Sequence, residues 1–344
     1  MYNYNRGVLD MQCLKGTLYY INQVIHGNFL LPNTTIILNL GDVKVIDRLT
    51  FVLLECICHS VMDTYNINIG VECTITNDQL FFNTEYSPIN LLNNASKFRK
   101  EFRFSLKSNY YRMVIPKEAA GTSDLSIRYS DIAGFFQNML LPNTFSETLA
   151  ETICELITNQ CEHGCSSCLV DIAVCKDRLK KSEKLFDVVS VALLGFSQEQ
   201  FETKLKTKIF SLKNSPDMRY NTVKEAYNYH RQFFSDKYTE TDFFFSAAFQ
   251  DRISSRESRI ASGGTGLTKL IASLQAYSDN HNCYMLSGKR CMFFDEKYLG
   301  TDVNGWVGFN ETNNFIGDIP NEKVFVASPI YMPGVAYNLN FIVK

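Results

Sequence analysis

The sequence carries almost no net charge: 34 Lys and Arg stand against 36 Asp and Glu, a formal −2. A nucleic-acid binder normally shows a basic excess, so that electrostatic signature is missing. Tryptophan is nearly absent, one residue against 26 Phe and 18 Tyr, and the aromatics read as core and surface bulk without a stacking stripe. Eleven cysteines in 344 residues are too sparse, and odd in number, for a disulfide scaffold. Long apolar runs are missing too. The best window, residues 51–58, breaks at Glu55, which is too short for a membrane span. The first residues, Met1-Tyr-Asn-Tyr-Asn-Arg-Gly, hold neither a basic n-region nor an apolar h-region. The expectation is a cytoplasmic protein in a reducing compartment, with no membrane and no nucleic acid among its partners.

What remains is a chain able to bury a core, 45% apolar and 20% charged. At roughly 150 residues per domain, two domains are expected. No internal repeat and no low-complexity stretch is visible. Residues 35–40 (TIILNL) read as a buried strand. Asp47 can cap a helix over 48–62, whose Phe51, Leu54, Ile57 and Val61 fall at helical spacing. Residues 66–75 alternate as a second strand, and 98–106 read as a further edge. The stretch 116–124 (PKEAAGTSD) is the most linker-like in the chain, giving domains at 1–115 and 125–344.

The second part opens with a helix over 144–163, apolar at Phe145, Leu149, Ile153, Leu156 and Ile157, with Gly164 in place to end it. Strands at 168–174 and 186–194 follow, then a long polar, largely helical insertion over 197–262. An amphipathic helix with Leu267, Leu270, Ile271, Leu274 and Tyr277 on one stripe comes next. A hairpin around Gly288 and closing strands at 324–327 and 336–343 complete an α/β chain, with one helix layer over a mixed sheet.

Two constellations carry chemistry. Glu155, Asn159 and Glu162 lie at i, i+4 and i+7, a polar line opposite the apolar face of the 144–163 helix. The run Gly263-Gly264-Thr265-Gly266-Leu267 stands at a helix start, where backbone can approach a phosphate and N–H groups are oriented toward it. In this order the two resemble the GHKL family of ATP-binding domains, found in gyrase, heat-shock chaperones, histidine kinases and mismatch-repair ATPases. The segment CELITNQCEHG (154–164) is most similar to the N-box of the anti-sigma-factor serine kinases, where Glu and Asn stand four apart and His-Gly follows, here His163-Gly164. AFQDRISSRESRIASGGTGL (248–267) resembles the lid end and G-box, with a Ser255-Arg256 pair before the glycines. Pro333-Gly334-Val335-Ala336-Tyr337 resembles the start of the last strand, so the likeness covers roughly 125–344.

The resemblance implies ATP and Mg²⁺ as cofactors. Asn159 would complete the shell of the Mg²⁺ ion. Glu155 would deprotonate a water or a protein hydroxyl for attack on the γ-phosphoryl group. Gly263, Gly264, Thr265, Gly266 and Leu267 would wrap the phosphates as the 197–262 lid closes, with Arg256 neutralising their charge and His163 lying in the N-box. One departure stands out. The family's third box ends in Asp-x-Gly, and its Asp accepts the adenine amine. Here the register gives Leu193-Leu194-Gly195, so Gly195 is kept and the acceptor is lost.

Residues 1–115 resemble a STAS-like domain, the fold of anti-sigma-factor antagonists, through TIILNL followed by Gly41-Asp42-Val43-Lys44-Val45-Ile46-Asp47. The serine that family phosphorylates is absent, since Arg48 follows Asp47 and Thr50 is a poor substitute. A rival of another class is a zinc site from Cys161, His163, Cys165 and Cys168, at spacings tighter than usual. Three functions therefore stand side by side: a Mg-dependent ATPase or protein kinase using Glu155; a nucleotide sensor without turnover, serving as a signalling or defence scaffold; and a zinc-stabilised interaction protein. A protein partner is expected, with homodimerisation as one option.

Overall fold

The computed structural model describes the chain apart from residues 5–6, 28–33, 77–83, 120–123, 163, 182–183, 199, 212–217, 254–265, 279–282 and 344. It is a mixed α/β protein that divides into two compact units, and these are not consecutive halves of the sequence. The first holds Met1–Val114 together with Leu169–Leu193; the second holds Ile115–Cys168 and Leu194–Lys344.

In the first unit β1 (Tyr2–Asn3), β2 (Val8–Leu9) and β4 (Asn68–Ile75) all pair parallel with β3 (Thr35–Val45). Parallel pairing needs crossovers, which are α1 (Met11–His26) between β2 and β3 and α2 (Arg48–Thr64) between β3 and β4. The Asp10 carboxylate accepts from the Cys13 N–H at 2.8 Å and starts α1, a helix with no counterpart in the reading of the sequence. Along β3 the buried side chains run Ile36, Leu38, Leu40 and then Val43, Val45. The step out of alternation falls at Gly41, whose φ of +62° opens a bulge in the pairing with β4.

Asp47 caps α2, accepting from the Thr50 N–H at 2.6 Å and the Thr50 hydroxyl at 3.0 Å. Every residue from Arg48 to Glu55 is buried, so the first two turns of the helix are covered all round. One side meets the parallel sheet. The other meets a second sheet in which β5 (Phe104–Lys107), β6 (Tyr110–Ile115), β7 (Cys168–Lys181) and β8 (Lys184–Gly195) are neighbours in that order. Here the unit buries four charges. Asp171 of β7 pairs with Arg48, with Arg112 at 2.7 Å and with the Tyr110 hydroxyl at 2.7 Å; Arg112 also pairs with Glu55, which accepts from Ser87. Burial works against the Asp171 carboxylate, yet the Arg112 and Arg48 guanidiniums hold its pKa below the ordinary value.

The span 98–106, expected as an edge strand, is largely helical. Asn94 caps α3 (Ala95–Arg103), and Phe98 and Phe102, one turn apart, are both buried, so the aromatic spacing fits a helix before β5 begins.

The second unit starts with α4 (Asp124–Asn138), a helix unmarked in the sequence reading, and α5 (Asn143–Glu162). α6 (Thr203–Ser211), α7 (Met218–His230) and α8 (Glu240–Ala248) lie within the span read as a polar lid. They pack on one another through aromatic rings: the Tyr227 ring lies 5.0 Å from Phe210 and 5.4 Å from Phe243, and Phe243, Phe244, Phe245 and Phe249 are fully buried. These three helices form a packed layer. His230 lies in the same core, its ring nitrogens 2.6 Å from the Tyr238 hydroxyl and 2.8 Å from the Phe315 carbonyl.

α9 (Gly266–Tyr277) precedes β9 (Tyr284–Phe293), which pairs antiparallel with β10 (Phe325–Val343). The expected hairpin at Gly288 is one continuous strand. Gly288, at φ +55°, sits opposite Met332 where the register shifts, which is a bulge and not a chain reversal. The two expected closing strands are likewise one. Arg290 of β9 forks onto Asp242 of α8, at 2.7 and 2.6 Å, and Asp242 also accepts from the Thr239 N–H at 2.7 Å to start that helix. No helix among the described residues is long and apolar enough to cross a membrane.

Candidate nucleotide site

In the second unit α5, which carries Glu155 and Asn159, packs against α9, which begins at Gly266. Three contacts fix their register. Phe145 meets Tyr277 edge to face at 4.9 Å; the Thr152 and Ser273 hydroxyls lie 2.7 Å apart; Lys269 reaches Glu151 and lies 3.7 Å from Glu155 Oε1. As numbers rise along α5 they fall along α9, so the helices run antiparallel. One more turn brings Asn159 level with Gly266, the first residue of α9. The N–H groups at that helix start are the ones without intrahelical partners.

Glu155 is 35% exposed and Asn159 is half-buried. Desolvation pulls the Lys269 ammonium down, but the Glu151 and Glu155 carboxylates outweigh it and hold its pKa above the ordinary value. In the first turn of α9 the Thr268 hydroxyl oxygen is buried with no hydrogen-bond partner among the described residues. Neither Lys269 nor Thr268 was singled out from the sequence. Their only signal there is adjacency to the glycine run.

The C-terminal end of α5 is held by glycines. Gln160 is buried and donates to the Ser166 hydroxyl at 2.7 Å; a Cβ on Gly195 would overlap its side chain, as would one on Gly164. Gly334, at φ +91°, crosses so close to the Gly195 carbonyl that no side chain fits between them. Gly195 is therefore fixed against the helix that carries Glu155 and Asn159. Leu193, two residues earlier, is fully buried, and its side chain has no hydrogen-bonding atom.

His163, Arg256, Gly263, Gly264 and Thr265 lie outside the described residues. Leu267 is half-buried in the first turn of α9. Of the zinc candidates, Cys161 and Cys168 are buried and Cys165 is exposed, and none of the eleven cysteines is in a disulfide. Burial pushes the Cys161 thiol up to about 11 and the Cys168 thiol well above its ordinary value. Among the described residues no group of three or more His, Cys, Asp or Glu side chains could hold a metal ion. No protein-family model, no curated protein and no solved structure matches this chain.

Proposed function

We propose that the second unit binds a Mg-nucleotide, with ATP the expected form, in the manner of a GHKL domain, and that binding regulates contact with a protein partner. One observation carries this reading: the antiparallel register of α5 and α9 sets Glu155 of one helix beside Lys269 in the first turn of the other. An ammonium and the oriented N–H groups of a helix start suit an anion. An amide oxygen and a carboxylate nearby suit a hard cation that keeps most of its waters.

In this reading the Asn159 side-chain oxygen holds Mg²⁺, which, when bound, neutralises phosphate charge. Lys269 and the start of α9 hold the terminal phosphate. Glu155 orients a water or a protein hydroxyl and takes its proton. The 197–262 span is read as the lid, with α8 held to β9 by the Arg290–Asp242 pair. Residues 1–115 are read as a STAS-like interaction module. Its α2 start is not a phosphorylation site, because Asp47 is engaged in capping and Arg48 is buried against Asp171.

Titration of the full chain with ATP, GTP, CTP and UTP, with and without Mg²⁺, tests the reading. Binding that needs Mg²⁺ and is weakened by Asn159→Ala far more in the metal form supports it. Equal affinities with and without metal in both proteins remove Asn159 from the site. Leu193 favours a second version, a sensor without turnover and with blunt base choice, since no acceptor for the adenine amine stands at that position. Phosphate release by wild type compared with Glu155→Ala separates the two versions.

A further inference from the structure

We propose that Lys269 is an exchangeable cation: it holds Glu151 and Glu155 when no nucleotide is present and passes to the terminal phosphate of a nucleoside triphosphate, releasing Glu155. The inference rests on the nucleotide reading and adds to it a regulation of the catalytic carboxylate.

Lys269 is misplaced by the ordinary rules of helix electrostatics. It lies in the first turn of α9, at the positive end of the helix dipole, where anions are favoured and cations are not. No acidic residue of α9 itself offsets it in that turn. The compensation comes from α5, whose Glu151 and Glu155 stand one turn apart and repel each other unless a cation lies between them. Lys269 fills that place. Two tensions, a cation at a helix start and two like charges on one helix face, are relieved by one contact.

That contact is built to be broken. The side chains of Lys269, Glu155 and Glu151 are 35%, 35% and 55% exposed, so water competes for every atom in it. A lysine also carries its charge on a flexible four-carbon stem and can swing between partners without moving the backbone. A terminal phosphate brings more charge than a carboxylate, and its oxygens can take the ammonium. Before that exchange Glu155 is occupied by the ammonium; after it, the carboxylate is open to accept a proton. The device keeps the base engaged until the third phosphate arrives, so a nucleoside diphosphate does not release it.

Calorimetric titration of the full chain with Mg-AMP-PNP and with Mg-ADP tests this. Lys269→Met is expected to weaken AMP-PNP by roughly 10- to 100-fold, the worth of one charge-assisted contact, and to leave ADP within about 3-fold. Glu151→Gln, at an exposed position, is expected to tighten AMP-PNP by about 2- to 5-fold by loosening the competing pair, with ADP unchanged. This second variant keeps the test decisive should Lys269→Met fail to fold. Equal losses of both nucleotides in Lys269→Met, or no gain in Glu151→Gln, overturn the exchange while leaving the nucleotide reading in place. Failure of wild type to bind either nucleotide overturns both.

Discussion

The protein contains two clusters of acid and base that look alike on paper and differ in what water can reach. Around α2, Arg48, Glu55, Arg112 and Asp171 are all at most 6% exposed at the side chain, and the hydroxyls of Tyr110 and Ser87 supply further hydrogen bonds. Between α5 and α9, the Glu151, Glu155 and Lys269 side chains are one third or more exposed. A buried charge left without its partner costs several kcal/mol, so the first cluster permits one arrangement only. The second is cheap to rearrange. Burial, not charge, separates a clamp from a contact that can change partners.

Breaking the clamp is expected to have the largest effect. Asp171→Asn leaves Arg48 and Arg112 facing a neutral amide and should lower unfolding free energy by about 3–5 kcal/mol in urea titration. A loss under about 1 kcal/mol would place the cluster with the exposed kind.

Acid provides the next test, because it reaches a buried group in the other unit. Desolvation lowers the His230 pKa from the ordinary 6.5 to about 4, although the Phe315 carbonyl and Asp318 pull it upward. The native state binds its proton only at lower pH than the unfolded chain does. His230 stability is therefore complete above pH 6.5, falls as pH drops toward 4, and is then lost. The total is about 3 kcal/mol, from a shift of 6.5 − 4 units. His230→Gln should flatten that part of the pH profile, and an unchanged slope would show that other groups cause it.

Gly334→Ala should cost about 1–3 kcal/mol, since the new methyl meets the Gly195 carbonyl and the residue must hold φ at +91°. The melting temperature of this variant measures how firmly the end of α5 is pinned. The smallest stability effect belongs to Lys269→Met, under about 1 kcal/mol in urea, as expected for an exposed pair. A larger loss would make the α5–α9 contact structural and remove the distinction drawn above.

Local chemistry made some of this legible in the sequence and long-range pairing hid the rest. Asp47 before an apolar periodic run announced the start of α2, and the spacing of Phe145, Leu149, Ile153 and Leu156 announced α5. The α/β class followed from such runs. Span 98–106 misled because Phe98 and Phe102 satisfy a strand's aromatic preference as well as a helix's spacing. Gly288 misled because a bulge and a turn both need a positive φ. The insertion looked polar because charged residues recur along its whole length, whereas its fully buried aromatics are concentrated in Phe243–Phe245 and Phe249. That Glu155 and Asn159 share one helix was readable from their spacing. Lys269 was not, since its partners lie 114 and 118 residues earlier, and no local pattern marks such a pair.

The discontinuous first unit has a consequence for how the chain is made. Its sheet around α2 is completed by residues 169–193, which follow Val114 only after the opening of the second unit has been synthesised. At ~5–20 residues per second, the 171 − 114 = 57 residues up to Asp171 take roughly 3–11 s to translate. Throughout that interval Arg48 and Arg112 lack the carboxylate of Asp171, the anion they are buried with in the finished protein. The amino-terminal region cannot complete its fold as it leaves the ribosome. It must wait, partly open, for a hairpin that belongs to a later stretch of the message.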